Sequence, residues 1–382
     1  MTYRILTGDV IEQLATLPAQ SVHCVVTSPP YYGLRDYGVD GQIGLESSPA
    51  EYVERLVEVF RAVWRVLRDD GTLWLNLGDS YANDGKWGGT TSGKHVNGLH
   101  GEPVGRGRRD TGLKPKDLIG VPWRVVFALQ DDGWYFRQRI AWCKKAPMPE
   151  SVQDRPTSAV EDIFLLTKRA QYFYDAVAVA EVADKGAAGS TFTGGKTGVN
   201  GHGRVSQAER TETGSRNMRN FWLLGPDPYP DAHFATYPRE IPRRAILAGT
   251  SARGCCPVCG APWVRVVERK FDGEYNTREA EKQRIRANTM SGGTERVTLN
   301  RTDSVSKTTV AWRPSCNCDV VYAVPCTVLD PFLGSGTTIA VAQALGRDGI
   351  GVELNPAYVE LAHKRIGKAQ PALWGIEDHV VA

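Results

Sequence analysis

The chain has 382 residues, 41% hydrophobic and 23% charged, with eight cysteines and a net charge of only +3. That composition excludes a disulfide scaffold and a disordered chain, leaves room for one large domain with insertions or for two domains, and does not by itself announce a nucleic-acid partner. No apolar run reaches membrane-spanning length, and MTYRILTGDV has neither the basic start nor the apolar stretch of an export signal, so a cytoplasmic protein with no membrane partner is expected.

In chain order, SVHCVVT (21–27) reads as a short buried strand. The stretch 48–71 carries apolar residues at helical spacing, starts with Ser48, Pro49 and Glu51 in capping-box positions, and is expected to end at Gly71. TLWLNLG (72–78) is a second strand. A second helix is predicted within 116–133 despite Pro122, followed by strands in WYFRQRIAWCK (134–144) and EDIFLLTK (161–168). Near the other end CTVLD (326–330) is a strand, PFLGSGTT (331–338) a glycine turn, and 338–349 a helix. IGVE (350–353) is a further strand, and 355–369 a helix with Asn355 as its cap and Pro356 in its first position. Apolar strands alternating with amphipathic helices predict a layered α/β sheet. The stretches 84–112, 183–220 and 265–311 are not expected to pack as sheet or helix of the core; the first two read as loops, and the third carries REAEKQRIRANTM (278–290), a charged run with helical character.

The late glycine turn is the first candidate site. A strand, then Gly334 and Gly336, then a helix lets a ligand approach the backbone closely and aims N–H groups at it, although a lone G-x-G is also an ordinary βα turn. Asp330 closes that strand, and Glu353 closes the next one where a carboxylate can take ribose hydroxyls. No lysine follows Gly336 as a triphosphate cradle requires, so a nucleoside-type ligand without phosphate and with a zwitterionic end fits better.

The second candidate is TSPPY (27–31), at the carboxyl end of a strand, where open α/β sheets hold their ligands. Pro29 and Pro30 lack N–H groups and force extended geometry on the residues before them. The Ser28 side chain and the Pro29 carbonyl then form a rigid pair of acceptors, followed by the aromatic face of Tyr31. Such a pair suits an exocyclic amino group, a poor nucleophile whose two hydrogens can be held while its nitrogen turns tetrahedral. A base inside a duplex cannot reach this pocket, so double-stranded DNA enters only with the target base flipped out.

Together TSPPY and DPFLGSGTT resemble the amino-methyltransferases of DNA, and their order in the chain resembles the β group. LTGDV (6–10), GTLWLNLGDS (71–80) and HFATYPREIPRRAILAGT (233–250) extend the resemblance over most of the chain. It implies a circularly permuted, Rossmann-like sheet of seven strands and S-adenosylmethionine as the methyl donor. On the matching positions it implies that Asp330, Phe332, Gly334, Ser335, Gly336, Thr337 and Thr338 line the methionine end of the cofactor. Glu353 would take the ribose hydroxyls, Asp9 would approach the adenine, and Ser28, Pro29, Pro30 and Tyr31 would hold the target base. Serine at the first position of the tetrapeptide SPPY (28–31) is more typical of cytosine-N4 enzymes, and aspartate or asparagine of adenine-N6 enzymes; cytosine is therefore the expected base and adenine the alternative. Cys24 is not a candidate nucleophile, because a carbon-5 methylase needs a Pro-Cys motif that the sequence lacks. A cognate restriction nuclease is a candidate partner.

Five cysteines cluster late, in GCCPVCG and SCNCD. Cys256, Cys259, Cys316 and Cys318 offer four sulfur ligands for structural zinc, with Cys255 a substitute for its neighbour. A redox C-x-x-C would want a thioredoxin-like context, and catalytic zinc an open coordination position; neither is visible. The expected organisation is a catalytic half in 1–182, a target-recognition segment in 183–232, a helix returning to the core in 233–250, a zinc-knuckle insertion in 251–320 and the cofactor half in 321–382. Lys86, Arg106, Arg108 and Arg109 in the early loop suit DNA phosphates. A zinc-bearing DNA-binding protein whose methylase fold is inactive is a competing reading, as is an RNA methyltransferase.

Overall fold

In a computed structural model, which describes residues 2–34, 37–82, 111–147, 149–182, 215–227, 237–272 and 304–367, the first apolar runs form strands β1 (Tyr3–Thr7) and β2 (Val22–Thr27). Between them lies helix α1 (Val10–Ala15), whose N-terminus is capped by the Asp9 carboxylate accepting from the N–H groups of Ile11 and Glu12 at 2.8 and 3.2 Å.

Helix α2 (Pro49–Val66) follows the predicted periodicity, burying Tyr52, Leu56, Val59, Phe60 and Val63 on one face. Burial of each such side chain contributes about 1.5–3 kcal/mol. Ser48 caps it by accepting from the Glu51 N–H, but the Glu51 carboxylate turns back to Ser47 instead of closing the box on Ser48. The helix stops at Val66, five residues before the predicted Gly71, and Leu67–Leu77 is strand β3. Gly71 marks a close approach and no helix end: a Cβ there would lie 2.5 Å from Leu67 and 2.9 Å from the His23 carbonyl oxygen.

Helix α3 (Val121–Asp131) starts at Gly120, whose φ of 76° suits glycine, and carries Pro122 in its first turn. Asp79 supplies the cap that Gly120 cannot, accepting from the N–H groups of Gly120 and Val121 at 3.0 Å. Strands β4 (Tyr135–Lys144), β5 (Val160–Thr167), β6 (Glu181–Val182), β7 (Ser215–Arg216) and β8 (Phe221–Leu224) follow, then helix α4 (Glu240–Gly249). After β9 (Trp263–Asp272) and β10 (Ser304–Pro314) come β11 (Thr327–Asp330), α5 (Thr337–Ala344), β12 (Asp348–Glu353) and α6 (Pro356–Gly367).

The large sheet has the order β1-β12-β11-β2-β3-β5-β4-β8, eight strands where seven were expected. The extra strand, β8, pairs parallel to β4. It is four residues of apolar FWLL behind a long polar stretch, too short to stand out by periodicity. From β1 through β3 the strands run parallel, and β5 is antiparallel to β3 and β4. The carboxyl ends of β1, β12, β11, β2, β3 and β4 and the amino end of β5 thus share one edge. Between β11 and β2 the order of connections reverses, which opens a crevice at that edge.

Two compact units account for the chain: Met1–Val179 with Arg219–Trp263 and Pro314–Ala382, and Ala180–Met218 with Val264–Arg313. The stretch expected to form one zinc insertion, 251–320, is therefore divided, with both cysteine pairs in the first unit. The segment 183–232 is divided too, at Arg219. In the second unit the described residues form the β6–β7 and β9–β10 ribbons; Arg265 lies 4.4 Å over the Trp312 ring and donates to Thr309. The loop residues Arg35, Asp36, Lys86, Trp87, Arg106, Arg108 and Arg109 lie outside the described residues, as does most of the target-recognition segment. Among the described residues no helix is long and apolar enough to cross a membrane.

Candidate active site

At the shared edge lies a cavity of about 410 Å³, of the size that takes a drug-like or nucleoside ligand. One wall comes from the β11–α5 turn and the end of β12: Phe332, Gly334, Ser335, Thr337, Glu353 and Asn355. Gly334 and Gly336 have φ of 51° and 84°, which turns the backbone sharply into α5. Glu353 accepts from the N–H of Gly334 at 2.8 Å with one oxygen and from that of Asn355 at 2.9 Å with the other. Each oxygen keeps a lone pair for a ligand hydroxyl. Burial pushes this carboxyl above its usual range. Asp9 borders the same cavity, although its oxygens already cap α1 and pair with Arg55 at 3.3 Å.

Three residues expected on this wall stand behind it. Asp330, Gly336 and Thr338 do not border the cavity; Asp330 and Thr338 are buried. Asp330 accepts from the Thr27 hydroxyl at 2.7 Å, the Thr338 hydroxyl at 2.6 Å and the Phe332 N–H at 3.1 Å, while Tyr237 hydrogen-bonds to Thr338. This carboxyl ties β2 to β11 and α5, and burial pushes it up to about 6. The strand-end position suggested a ligand contact because sequence spacing does not show to which side of the turn a carboxylate points. Gly336 is needed for another close approach: a Cβ there would lie 3.0 Å from that of Ala362.

The opposite wall begins at Ser28. The Ser28 hydroxyl donates to the Tyr31 oxygen at 3.3 Å, which leaves both serine lone pairs free. Among the described residues no donor reaches the Pro29 carbonyl. The Pro30 carbonyl is instead held by the Tyr52 hydroxyl at 2.8 Å. The two carbonyls thus differ: that of Pro30 is fixed by the core, while that of Pro29, a residue that borders the cavity, accepts from no donor among the described residues.

Tyr31 is placed by its hydroxyl, which donates to Glu161 at 2.7 Å and lies 3.3 Å from Asn76. Its ring lies on Gly78, where a Cβ would come within 2.4 Å. Burial and the Glu161 charge hold this phenol protonated, well above its ordinary range. Glu161 in turn pairs with Lys144 at 2.5 Å, and Lys144 sits 5.1 Å from the centre of the Trp142 ring. Asn76, Trp142, Lys144 and Glu161 all border the cavity, and sequence reading passed over all four. The one available signal was the acidic pair Glu161 and Asp162 ahead of the apolar run IFLL in EDIFLLTK.

Cys24 is buried against α4, and burial pushes its thiol up to about 12, which fits an inert side chain. At the other edge of the sheet the sulfurs of Cys256, Cys259, Cys316 and Cys318 lie within 4.8 Å of one another.

Residues 22–257 and 326–364 match the family model of the N6/N4 DNA methylases. The type II methyltransferase M.Cfr9I of Citrobacter freundii is 38% identical over 364 residues, 95% of this chain and 87% of that one. M.SmaI of Serratia marcescens is 36% identical over the same length, 95% of this chain and 90% of its own. A solved PvuII DNA methyltransferase, cytosine-N4-specific, shares the fold with a TM-score of 0.52 at 16% identity, over 96% of this chain and 86% of that one. A TSPPY-bearing strand that precedes the glycine turn, on a permuted sheet with a crevice between them, agrees with these matches: the chain belongs to the N6/N4 DNA methylase family, as a type II methyltransferase of the β group.

Proposed function

We propose that the protein transfers a methyl group from S-adenosylmethionine to the exocyclic N4 of a cytosine flipped out of duplex DNA. The observation that carries this reading is the open Pro29 carbonyl beside the Ser28 hydroxyl, set in the crevice that Glu353 and Phe332 bound on the other side. The crevice fits the cofactor by its donor set: a half-buried carboxylate with free lone pairs for ribose hydroxyls, an aromatic side chain, and a glycine turn into a helix N-terminus for a carboxylate. When bound, the cofactor supplies an electrophilic methyl carbon.

The chain's own groups prepare the nitrogen. Ser28 Oγ and the Pro29 oxygen accept the two amino hydrogens, which keeps the amino group from lying flat in the ring plane and exposes its lone pair. Because the acceptors are held by two prolines, little reorganisation is needed at the moment of transfer. A proton must leave the nitrogen once it has gained the methyl group. A concerted shift along Ser28 Oγ, Tyr31 Oη and Glu161 Oε2 carries it away: Ser28 takes the amino proton as its own passes to Tyr31, whose proton passes to the Glu161 carboxylate, so Tyr31 stays a neutral phenol and Glu161 ends protonated. Serine at the head of the tetrapeptide SPPY (28–31) supports cytosine over adenine.

Mass spectrometry of nucleosides from DNA of cells expressing the protein should find N4-methylcytosine. N6-methyladenine would replace cytosine in this reading, and no modified base would overturn it. Ser28→Ala should lower kcat on the order of 10²-fold while cofactor affinity stays within a factor of about two.

A further inference from the structure

We propose that Cys256, Cys259, Cys316 and Cys318 bind one structural zinc ion, and that this site braces the amino ends of β2, β3 and β11 at the edge of the sheet opposite the crevice. The four sulfurs lie within 4.8 Å of one another. Four sulfurs at about 2.3 Å from a tetrahedral ion lie about 3.8 Å apart, so small side-chain rotations close the set. All four are free thiols.

The local backbone already has the form of a knuckle. Gly260 donates to the Cys256 carbonyl at 2.8 Å, closing the turn, and its φ of 71° suits glycine. Four thiolates fill the tetrahedron and leave no position for water or substrate, so the ion's role is structural.

A neighbouring trio, His23, Cys255 and Cys326, also brings its ligand atoms together. It is no second metal site, because both imidazole nitrogens are used. The Thr327 N–H donates to Nδ1 at 3.0 Å, so Nδ1 is the acceptor and Nε2 carries the proton, which it gives to the Gly260 carbonyl at 2.9 Å. His23 therefore links the knuckle turn to β2, on which it stands, and to the start of β11. Arg68, at the start of β3, donates to the Cys259 carbonyl at 2.7 Å while Asp70 holds its guanidinium. A Cβ on Gly260 would lie 2.6 Å from that guanidinium. Three strands thus meet the knuckle at their amino ends, and two of them, β2 and β11, carry TSPPY and the glycine turn at their carboxyl ends. His23 is five residues from Ser28, roughly 17 Å along an extended strand, so the ion acts on the crevice only by fixing the strands beneath it.

The test uses the full-length protein. Elemental analysis should find about one zinc per chain, and Cys256→Ser with Cys259→Ser should abolish it. Because that double variant can fail to fold, the second measurement uses the unmodified protein. A thiol-reactive mercurial should release the ion to a chromogenic chelator, and hydrogen exchange should then rise at residues 22–27 and 327–330. A metal-free protein, bound iron in place of zinc, or zinc retained by the double variant would overturn the site. Zinc release with no change in exchange at those strands would overturn the bracing role.

Discussion

The two walls of the crevice are made in different ways. The wall at β11 and β12 is largely backbone, a glycine turn and a helix start held from behind by one buried carboxylate, Asp330. The wall at β2 is largely side chain: Ser28, Tyr31, Asn76, Lys144 and Glu161, drawn from four strands by hydrogen bonds. A wall of backbone is set by residues adjacent in sequence, so it holds its shape whenever its turn forms. A wall of side chains holds only while every partner is present, and single substitutions should therefore affect the two walls differently.

The largest effect is expected at Glu161, where the side-chain wall is knotted. Glu161→Gln keeps the shape but removes the charge that Lys144 and the Tyr31 hydroxyl answer. Turnover should fall on the order of 10²-fold, with cofactor affinity little altered, because the opposite wall is untouched. Stopped-time methyl-transfer assays beside calorimetric titration of the cofactor would measure both. Equal loss of turnover and of cofactor affinity would show that the walls do not act separately.

The backbone wall should answer to pH through Asp330. Its carboxyl has an ordinary value of 3.8 and is pushed up to about 6 in the fold. Below about 4 it is protonated whether the chain is folded or not. Between 4 and 6 the folded state still holds the proton that the unfolded state has lost, so stability is lost as pH rises through 6. The loss is of the order of 2–3 kcal/mol. Asp330→Asn cannot ionise, and its urea midpoint should lack that decline between pH 4 and 7, although the lost acceptor lowers stability at every pH. Parallel profiles for the two proteins would sink this assignment.

How much of this was legible follows the same division. TSPPY and the glycine turn were found because each is a run of adjacent residues whose backbone consequences are local. Glu161 and Lys144 were missed because they reach the crevice only through the antiparallel insertion of β5 between β3 and β4, which pairs Glu161 with Trp142 and Asp162 with Leu77. Asp330 was placed on the ligand side for a related reason. A strand-end carboxylate is visible in the sequence, but the Thr27 and Thr338 hydroxyls that turn it inward come from elsewhere in the fold. The end of α2 was set too late because DDG resembles a helix stop, whereas pairing of Leu67 with Val22 draws the chain into β3.

The smallest effect concerns the second proline. Tyr52 is buried beneath the side-chain wall, with its ring 5.6 Å from that of Tyr32 and its hydroxyl on the Pro30 carbonyl. Tyr52→Phe keeps the packing and deletes only that hydrogen bond, at a cost of about 1 kcal/mol in thermal or urea unfolding. If the tie on Pro30 also fixes the direction of the open Pro29 carbonyl, kcat should drop a few-fold, with the DNA and cofactor KM values unchanged. A variant that loses the stability but keeps full kcat would show that the two prolines alone set that direction, through their closed φ angles. A drop in kcat would show instead that the rigidity of TSPPY comes partly from the core beneath it.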